Sequence, residues 1–504
     1  MPDGPSDAVT LRATFLRYLA LGGCDACQLP ETGLLVWGAH IFGDEKHSED
    51  TKGLDFEGAT LPHDLGLVFC HIPDPIILRS AKVKNLFLHG SVVKAAIKAD
   101  RLQAEGGVFL REAKLAGKVQ LLGARLGSNL DCDGAALQAK GEALICDRMQ
   151  VEGSVFLRGA KITGEVRLLG ARLGGDLDCD GAELQAKGTA LICDGAKIAG
   201  AFFLRGGATV SGCIDLTDAT FGSICDDPAC WPPELILNRC RYGAFQGNDA
   251  PMDSDMRLKW LALQKPKKYG QDFWPDPYEH CAKVLREMGH GAEATKILIE
   301  KERLQRKARQ ERLYRDLEQA REEWTNSPEE NSTNISAESD TGKLLRLRLH
   351  LTLIAIWDGI TGFFVGYGRK PFDAVWRGLI PLWIVGTFVF ANAERHGAIK
   401  PNLPQIQLNP AWVSCAADQR GQLDCFLNHP DAASYPRFNA FIYSADTLIP
   451  VVSLEMQSYW IPDDRSDRGM LARGYLWFHI AMGWALTLLT VAGFSGLIKT
   501  DNTK

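Results

Sequence analysis

Apolar and polar residues alternate in a short, repeating unit through much of the first half of the chain. Val108 and Leu110 stand two apart, and in the next unit Val119 and Leu121 flank the polar Gln120, which is the period of two expected of a strand. Ala113 and Leu115 repeat the pattern after a corner, giving a unit of roughly G-x-V-x-L-x-x-A-x-L-x. The first apolar positions of successive units are Val108, Val119, Leu130, Leu144, Val155, Val166, Leu177, Leu191 and Phe202, spaced by 11 residues with two spacings of 14. Apolar residues do not recur at i+3 and i+4 over any long window, so helices are excluded here. The unit is too short for a leucine-rich repeat and lacks a recurring Asn. Two units make a coil of about 22 residues, and coils stack at the strand spacing of about 4.8 Å.

The repeat is partly a duplication. Residues 117–147 and 164–194 are nearly identical at an offset of 47, and each carries a QAKG insertion, Gln138–Gly141 and Gln185–Gly188. The insertion predicts a loop on one edge. Degenerate units (Leu54/Phe56, Leu86/Leu88, Ile214/Leu216) extend the pattern both ways. The reading is a right-handed β-helix solenoid over 50–225, preceded by a partly helical cap over 1–49. Cys132, Cys146, Cys179 and Cys193 fall on inward positions and are expected to pack as small hydrophobes. Asp131, Asp133, Asp178 and Asp180 flank two of them and are expected to face solvent.

The pattern then changes to the helical period. Tyr278, Cys281, Val284, Leu285 and Met288 form one apolar stripe, Gly289 and Gly291 mark a turn, and a charged helix follows from about 292 to 323. Residues 226–324 are therefore a connector built on a helical hairpin and a long charged helix. Residues 325–342 are polar and acidic and read as a flexible linker.

Long apolar runs concentrate in the last part, 343–504. One runs from Gly474 to Ile498 without a formal charge and is long enough for a bilayer. A second covers about 374–393 and includes Pro381, which membrane helices tolerate. Leu349–Gly366 is apolar but interrupted by Asp358, and reads as an interfacial or packed helix. Residues 343–377 hold six Lys/Arg against two Asp, while 394–473 hold seven against nine acidic residues. The positive-inside rule then places both termini in the cytoplasm and the loop 394–473 outside. Cys415 and Cys425, in that loop, would face an oxidising space and are a candidate disulfide.

Composition narrows function by exclusion. At 504 residues the chain holds several domains, and its net charge of −6 gives no basic footprint for nucleic acid. Residues 55–225 carry 20 acidic and 19 basic side chains, which argues against an acidic DNA mimic. Twelve of the 14 cysteines precede residue 282 and are expected to be free thiols in a reducing compartment. Cys24-x-x-Cys27 lacks a second pair, and no dinucleotide, haem or flavin motif is present, so neither cofactor nor metal is expected. The eleven His are scattered, and no catalytic residue is assigned.

Between the two spans lies a further apolar segment, FIYSADTLIPVV from Phe441. A span, a short apolar helix and a second span are the layout of a two-span pore subunit. In this order of parts the chain resembles bacterial membrane proteins that join pentapeptide-like β-helices to a two-span, ion-channel-like module, a family sometimes loosely labelled membrane-associated oxidoreductases. The resemblance implies the bacterial inner membrane and a re-entrant-like pore segment with Tyr443, Ser444, Thr447 and Pro450. Asp446 and Glu455 are the charged residues beside it. Val452-Ser453-Leu454-Glu455 stands where a potassium filter would need Gly-Tyr-Gly. The expected function is a membrane-anchored scaffold or sensor that offers its β-helix to a protein partner. An oligomeric, channel-like effector is the alternative. An oxidoreductase has no residue motif behind it.

Overall fold

A computed structural model describes residues 9–23, 29–43, 53–325, 336–370, 372–417 and 421–495. The chain divides into two units, Met1–Lys301 and Glu302–Lys504.

The first unit is a β-solenoid of about nine turns. One coil shows the plan. Leu86–Phe87, Val92–Val93, Ile97–Lys98 and Gln103–Ala104 are four short strands, one per side. Each pairs in parallel with the residue 22 positions later: Leu86 with Val108, Val92 with Lys114, Ile97 with Val119 and Gln103 with Arg125. The 11-residue unit is therefore two sides of a four-sided coil. Its period is marked by the backbone. Gly90, Arg101, Glu112, Gly123 and Gly134 all hold a positive φ near 60° at every second corner, a conformation that costs a non-glycine residue about 1–2 kcal/mol. The glycine that opens a unit has another role. A Cβ on Gly117 would lie 2.4 Å from the Ala95 carbonyl carbon of the coil below.

The core is a set of columns. Leu88, Leu110, Cys132, Leu157, Cys179 and Leu204 form one, and Ala99, Leu121, Cys146, Leu168, Cys193 and Leu216 another; all are buried. The four cysteines sit where the alternation put them, and burial raises their thiol pKa values above the ordinary range.

Three expectations need correction. First, strand pairing exceeds 50–225 at both ends. Leu34–Trp37 already pairs with Leu65–Val68, and Arg241–Tyr242 still pairs with Thr220–Phe221. The N-terminal coil keeps a shortened unit with Gly33 and Gly38 at the marked positions, whereas the C-terminal coil keeps the pairing with Arg239 at the positive-φ corner. Second, QAKG is not a separate loop. Ala136–Ile145 and Glu183–Ile192 are continuous strands. Their register jumps from Gln138↔Thr163 to Glu142↔Glu165, so the extra residues bulge out while both flanks stay paired. Third, Asp131 and Asp178 are not solvated. They are 1% and 9% exposed, because each carboxylate caps a backbone N–H two residues on, Asp133 and Asp180. Arg111 also pairs with Asp131 at 2.6 Å. One coil further along each way, Arg158 pairs with Asp133 and Arg205 with Asp180.

Helix α1 (Ala13–Ala20) packs Leu16 at the N-terminal end of the solenoid. At the C-terminal end stand α2 (Ser254–Leu261), α3 (Asp276–Glu287) and the start of α4 (Gly291–Thr325). The hairpin α3–α4 follows the apolar stripe closely. Arg257 of α2 is fully buried and makes a two-pronged ion pair with Asp226, at 2.7 and 2.8 Å.

In the second unit, α5 (Ser336–Val365) begins inside the expected linker. A single-turn π segment, Val375–Leu379, leads into α6 (Ile380–Arg395). Short helices α7 (Pro404–Gln407), α8 (Pro410–Ser414) and α9 (Gln422–Leu427) follow, then α10 (Ala440–Leu448), α11 (Met456–Tyr459) and α12 (Asp467–Phe494). Val375–Arg395 and Asp467–Phe494 are long and apolar enough to cross a membrane. Only 17% and 28% of their most apolar windows are covered by protein, so most of each apolar window lies on the surface. The segment between them folds as a lobe that shares its core with both helices, through Phe390 of α6 and Leu476 of α12. Ile399–Pro401 and Trp460–Pro462 pair antiparallel and tie its ends together. Trp412, Phe426, Phe438, Tyr443 and Trp460 fill its core.

Candidate functional site between the apolar helices

Helix α10 is the element that the sequence singles out, and it lies between α6 and α12. The Asn439 side chain caps it, accepting from the Phe441 and Ile442 N–H groups at 3.0 and 3.1 Å. This is the ordinary way a short helix starts. From Tyr443 to Leu448 every residue is buried.

Its contacts are polar on one side. The Ser444 hydroxyl donates to the Trp383 carbonyl of α6 at 2.9 Å. His479 of α12 is fully buried, with Nε2 3.1 Å from the Ser444 carbonyl and 3.3 Å from its hydroxyl. Trp383 Nε1 donates in turn to the Phe441 carbonyl at 2.9 Å. Two glycines let the helices meet this closely. A Cβ on Gly386 would be 2.3 Å from Ser444 Oγ, and one on Gly483 would be 2.0 Å from the Leu448 carbonyl oxygen. The Thr447 hydroxyl bonds back to the Tyr443 carbonyl at 2.8 Å.

Asp446 has a structural task. It is 2% exposed, and its carboxylate accepts from the Leu454 N–H at 2.6 Å and the Gln457 N–H at 2.7 Å. It thus pins the loop after α10, which carries Pro450, back onto the helix. Glu455 is exposed and holds a positive φ of 63° at the start of α11. Between them Val451, Val452 and Leu454 are 79%, 49% and 44% exposed. Tyr443 faces away from this loop, edge-on to Phe390 at 4.8 Å. Cys415 and Cys425 are disulfide-bonded in the same lobe, with Cα atoms 5.6 Å apart.

The geometry does not assemble a catalytic dyad from Ser444 and His479. The serine proton is directed at Trp383, and among the described residues His479 Nδ1 is buried with no hydrogen-bond partner and no carboxylate orients the ring. A nucleophile needs an oriented base within reach and access to substrate. Among the described residues, no group of three or more His, Cys, Asp or Glu is placed to hold a metal ion. Cys24 and Cys27 lie outside the described residues.

The solenoid offers a second kind of surface. Over most of its length the outer corner carries alternating Arg and Asp that neutralise each other, while the first coils carry rings. Trp37 and Phe69 stand 6.0 Å apart, Phe69 and His89 5.2 Å, and Phe87 stacks on Phe109 at 4.9 Å. Trp37 is 66% exposed, with Leu35 beside it at 46%. The bulged QAKG segments flank a shallow groove of about 870 Å³ floored by Thr163, Gly164 and Glu165.

Sequence reasoning named Tyr443, Ser444, Thr447, Pro450, Asp446 and Glu455. The structure brings Ser444 onto α6 and α12 and leaves Glu455 alone on the loop. Trp383, Gly386 and Gly483 were missed; only the glycines carried a readable signal, as small residues inside apolar helices. No family model, curated protein or solved structure matches the chain.

Proposed function

We propose that this protein is a membrane-anchored scaffold. In this reading Val375–Arg395 and Asp467–Phe494 cross the bilayer, the lobe between them lies outside, and a right-handed solenoid presents a cytoplasmic surface to a protein partner. The observation that carries it is the strip of Leu35, Trp37 and Phe69, left exposed on a rigid repeat whose later outer corner pairs Arg158 with Asp133 and Arg205 with Asp180. Aromatic side chains of this kind dominate protein interfaces, and solenoids commonly serve as extended binding surfaces. The test is in-cell photocrosslinking from positions 37 and 69, with position 140 in the groove as comparison. A discrete adduct at the strip that disappears in Trp37→Ser supports the reading. A solenoid deletion that leaves every co-purifying protein and every phenotype unchanged overturns it.

A second reading rests on a different observation. Helix α10 is wedged between two apolar helices and followed by a loop with exposed Val451, Val452 and Leu454, which favours a re-entrant segment in an oligomeric, channel-like module. Two spans cannot enclose a pore alone. A monomer in nanodiscs, or the absence of conductance after reconstitution, removes this reading.

A further inference from the structure

Helix α5 has two unlike sides. Leu349, Leu353, Ile356, Trp357, Ile360 and Phe363 are all exposed, from 36% to 60%, and their spacing of four, three, one, three and three residues puts them on one broad face. On the opposite stripe Asp358 is taken up by two side chains of α4. Arg306 forms an ion pair with one carboxylate oxygen, and Gln310 donates to the other at 3.1 Å. Arg306 also lies over the Tyr367 ring at 4.8 Å, and Glu302 faces both Arg306 and Arg369. A polar network thus fixes one side of α5 to α4 and leaves the apolar side largely exposed, with only the Arg377 guanidinium seen against it among the described residues, 5.6 Å from the Phe363 ring centroid.

The occupant of that face follows from where it lies. The apolar part of the helix, Thr352–Val365, is 14 residues, about 21 Å at 1.5 Å per residue, too short for a hydrocarbon core of about 30 Å. Its end packs at the level where the long apolar helices begin and end. Val365 shares a small core with Ala374 and Leu489, Phe364 lies beside Gly378, and Phe372 meets Phe494 at 4.9 Å. The exposed face of α5 is therefore continuous with the uncovered apolar surface of those helices, Trp376, Val491 and Phe494 included. The sequence of the helix's first half adds Lys343, Arg346 and Arg348, the charges that favour an anionic lipid surface.

We infer that α5 lies in the plane of the membrane with Leu353, Trp357 and Phe363 in the lipid, as a third attachment that carries α4 on its water-facing side. The inference rests on the reading of the two long apolar helices as spans, and the experiment separates the two. A diazirine-bearing residue is placed at 353, 357 or 363 of the full chain, at Phe388 of α6 (72% exposed) as a span position, and at exposed Lys307 of α4. The protein is reconstituted in vesicles of phosphatidylethanolamine and phosphatidylglycerol and irradiated. Lipid adducts at the three α5 positions as abundant as at Phe388, with none at Lys307, are the expected result. Adducts at Phe388 alone overturn the placement of α5. Protein–protein adducts of dimer mass from the α5 positions overturn it also, by showing that a second copy covers the face. No lipid adduct at Phe388 overturns the span reading and the inference with it.

Discussion

Replacing Arg257 with Met should unfasten the C-terminal end of the solenoid. Arg257 is fully buried, and the Asp226 side chain is 3% exposed. The guanidinium makes both ion-pair bonds, donates a third from Nε to the Pro251 carbonyl at 2.8 Å, and stacks 3.5 Å from the Phe245 ring centroid. Asp226 also accepts from Trp231 Nε1 at 2.8 Å. Methionine keeps much of the volume and removes the charge, so a carboxylate is stranded in a dry site. Removing one partner of such a pair costs about 3–5 kcal/mol. Removing both charges, in Asp226→Leu with Arg257→Met, strands no ion. It leaves the Trp231 N–H without its acceptor, a loss of about 1–3 kcal/mol. A solenoid does not unfold as one two-state body, so the assay is native-state hydrogen exchange of Thr220–Asp226 and Arg241–Tyr242. At 1.4 kcal/mol per tenfold, the single variant should speed exchange there by roughly two to three and a half decades, leaving Leu86–Phe87 and its neighbours unchanged. The double variant should recover a decade or more. Acceleration below tenfold in the single variant, or additive losses in the double, would refute the reasoning.

Four further outcomes follow from the structure. Near the same end, His280 Nε2 sits 2.9 Å from the Tyr242 nitrogen, and burial, helped by Arg241, lowers its pKa below 6.5. The unfolded chain then protonates first, so stability is full above pH 6.5 and declines as pH falls from there toward the lower folded pKa; urea titrations of His280→Gln should lack this slope. Glu293, bonded by the Ser254 hydroxyl and N–H, titrates at about 2, so its contribution holds above pH 4.5 and is lost between 4.5 and about 2, a phase that Glu293→Gln should abolish. In the second unit, Gly483→Ala must push α12 off the Leu448 carbonyl, costing about 1–3 kcal/mol of overpacking in detergent thermal melts, whereas Gly474→Ala, with nothing within 4 Å, should be silent. Asp446→Ala should release the loop from Leu454 to Gln457, seen as new protease cleavage there, and unchanged digestion would show that the carboxylate does not hold it.

Legibility in the sequence tracked how local the cause was. The solenoid was readable because every inward column repeats in the chain itself, down to Cys132 and Cys179 replacing Leu. The unit-opening glycines were readable for the same reason, whereas the positive-φ corner falls inside the unit, where Arg101 and Glu112 stand as well as glycine. What failed was set by neighbours one coil away. The burial of Asp131 depends on Arg111 and the Asp133 N–H, and the strand through QAKG depends on pairing with Lys161–Arg167. The C-terminal coil was missed because pairing with the preceding coil sustains it with Arg239 in place of a corner glycine, and the N-terminal one because its unit, residues 33–41, stands isolated from the regular spacing. In the second unit, length and hydropathy marked the two apolar helices. The meeting of Ser444, Trp383, Gly386 and His479 joins residues up to 96 positions apart, and no single-sequence pattern encodes it. Asp358 was read as an interruption of an apolar run, whereas its partner is Arg306, 52 residues upstream.

The proposed scaffold requires the two apolar helices to cross a bilayer, with the solenoid and the Ile399–Pro462 lobe on opposite sides of it. Single cysteines introduced at exposed positions, Lys140 on the solenoid and Leu408 in the lobe, test it by labelling intact cells with a membrane-impermeant maleimide. Labelling at 408 in intact cells, and at 140 only after permeabilisation, is the predicted result. Equal labelling of both positions in intact cells, or of neither before permeabilisation, would contradict the account.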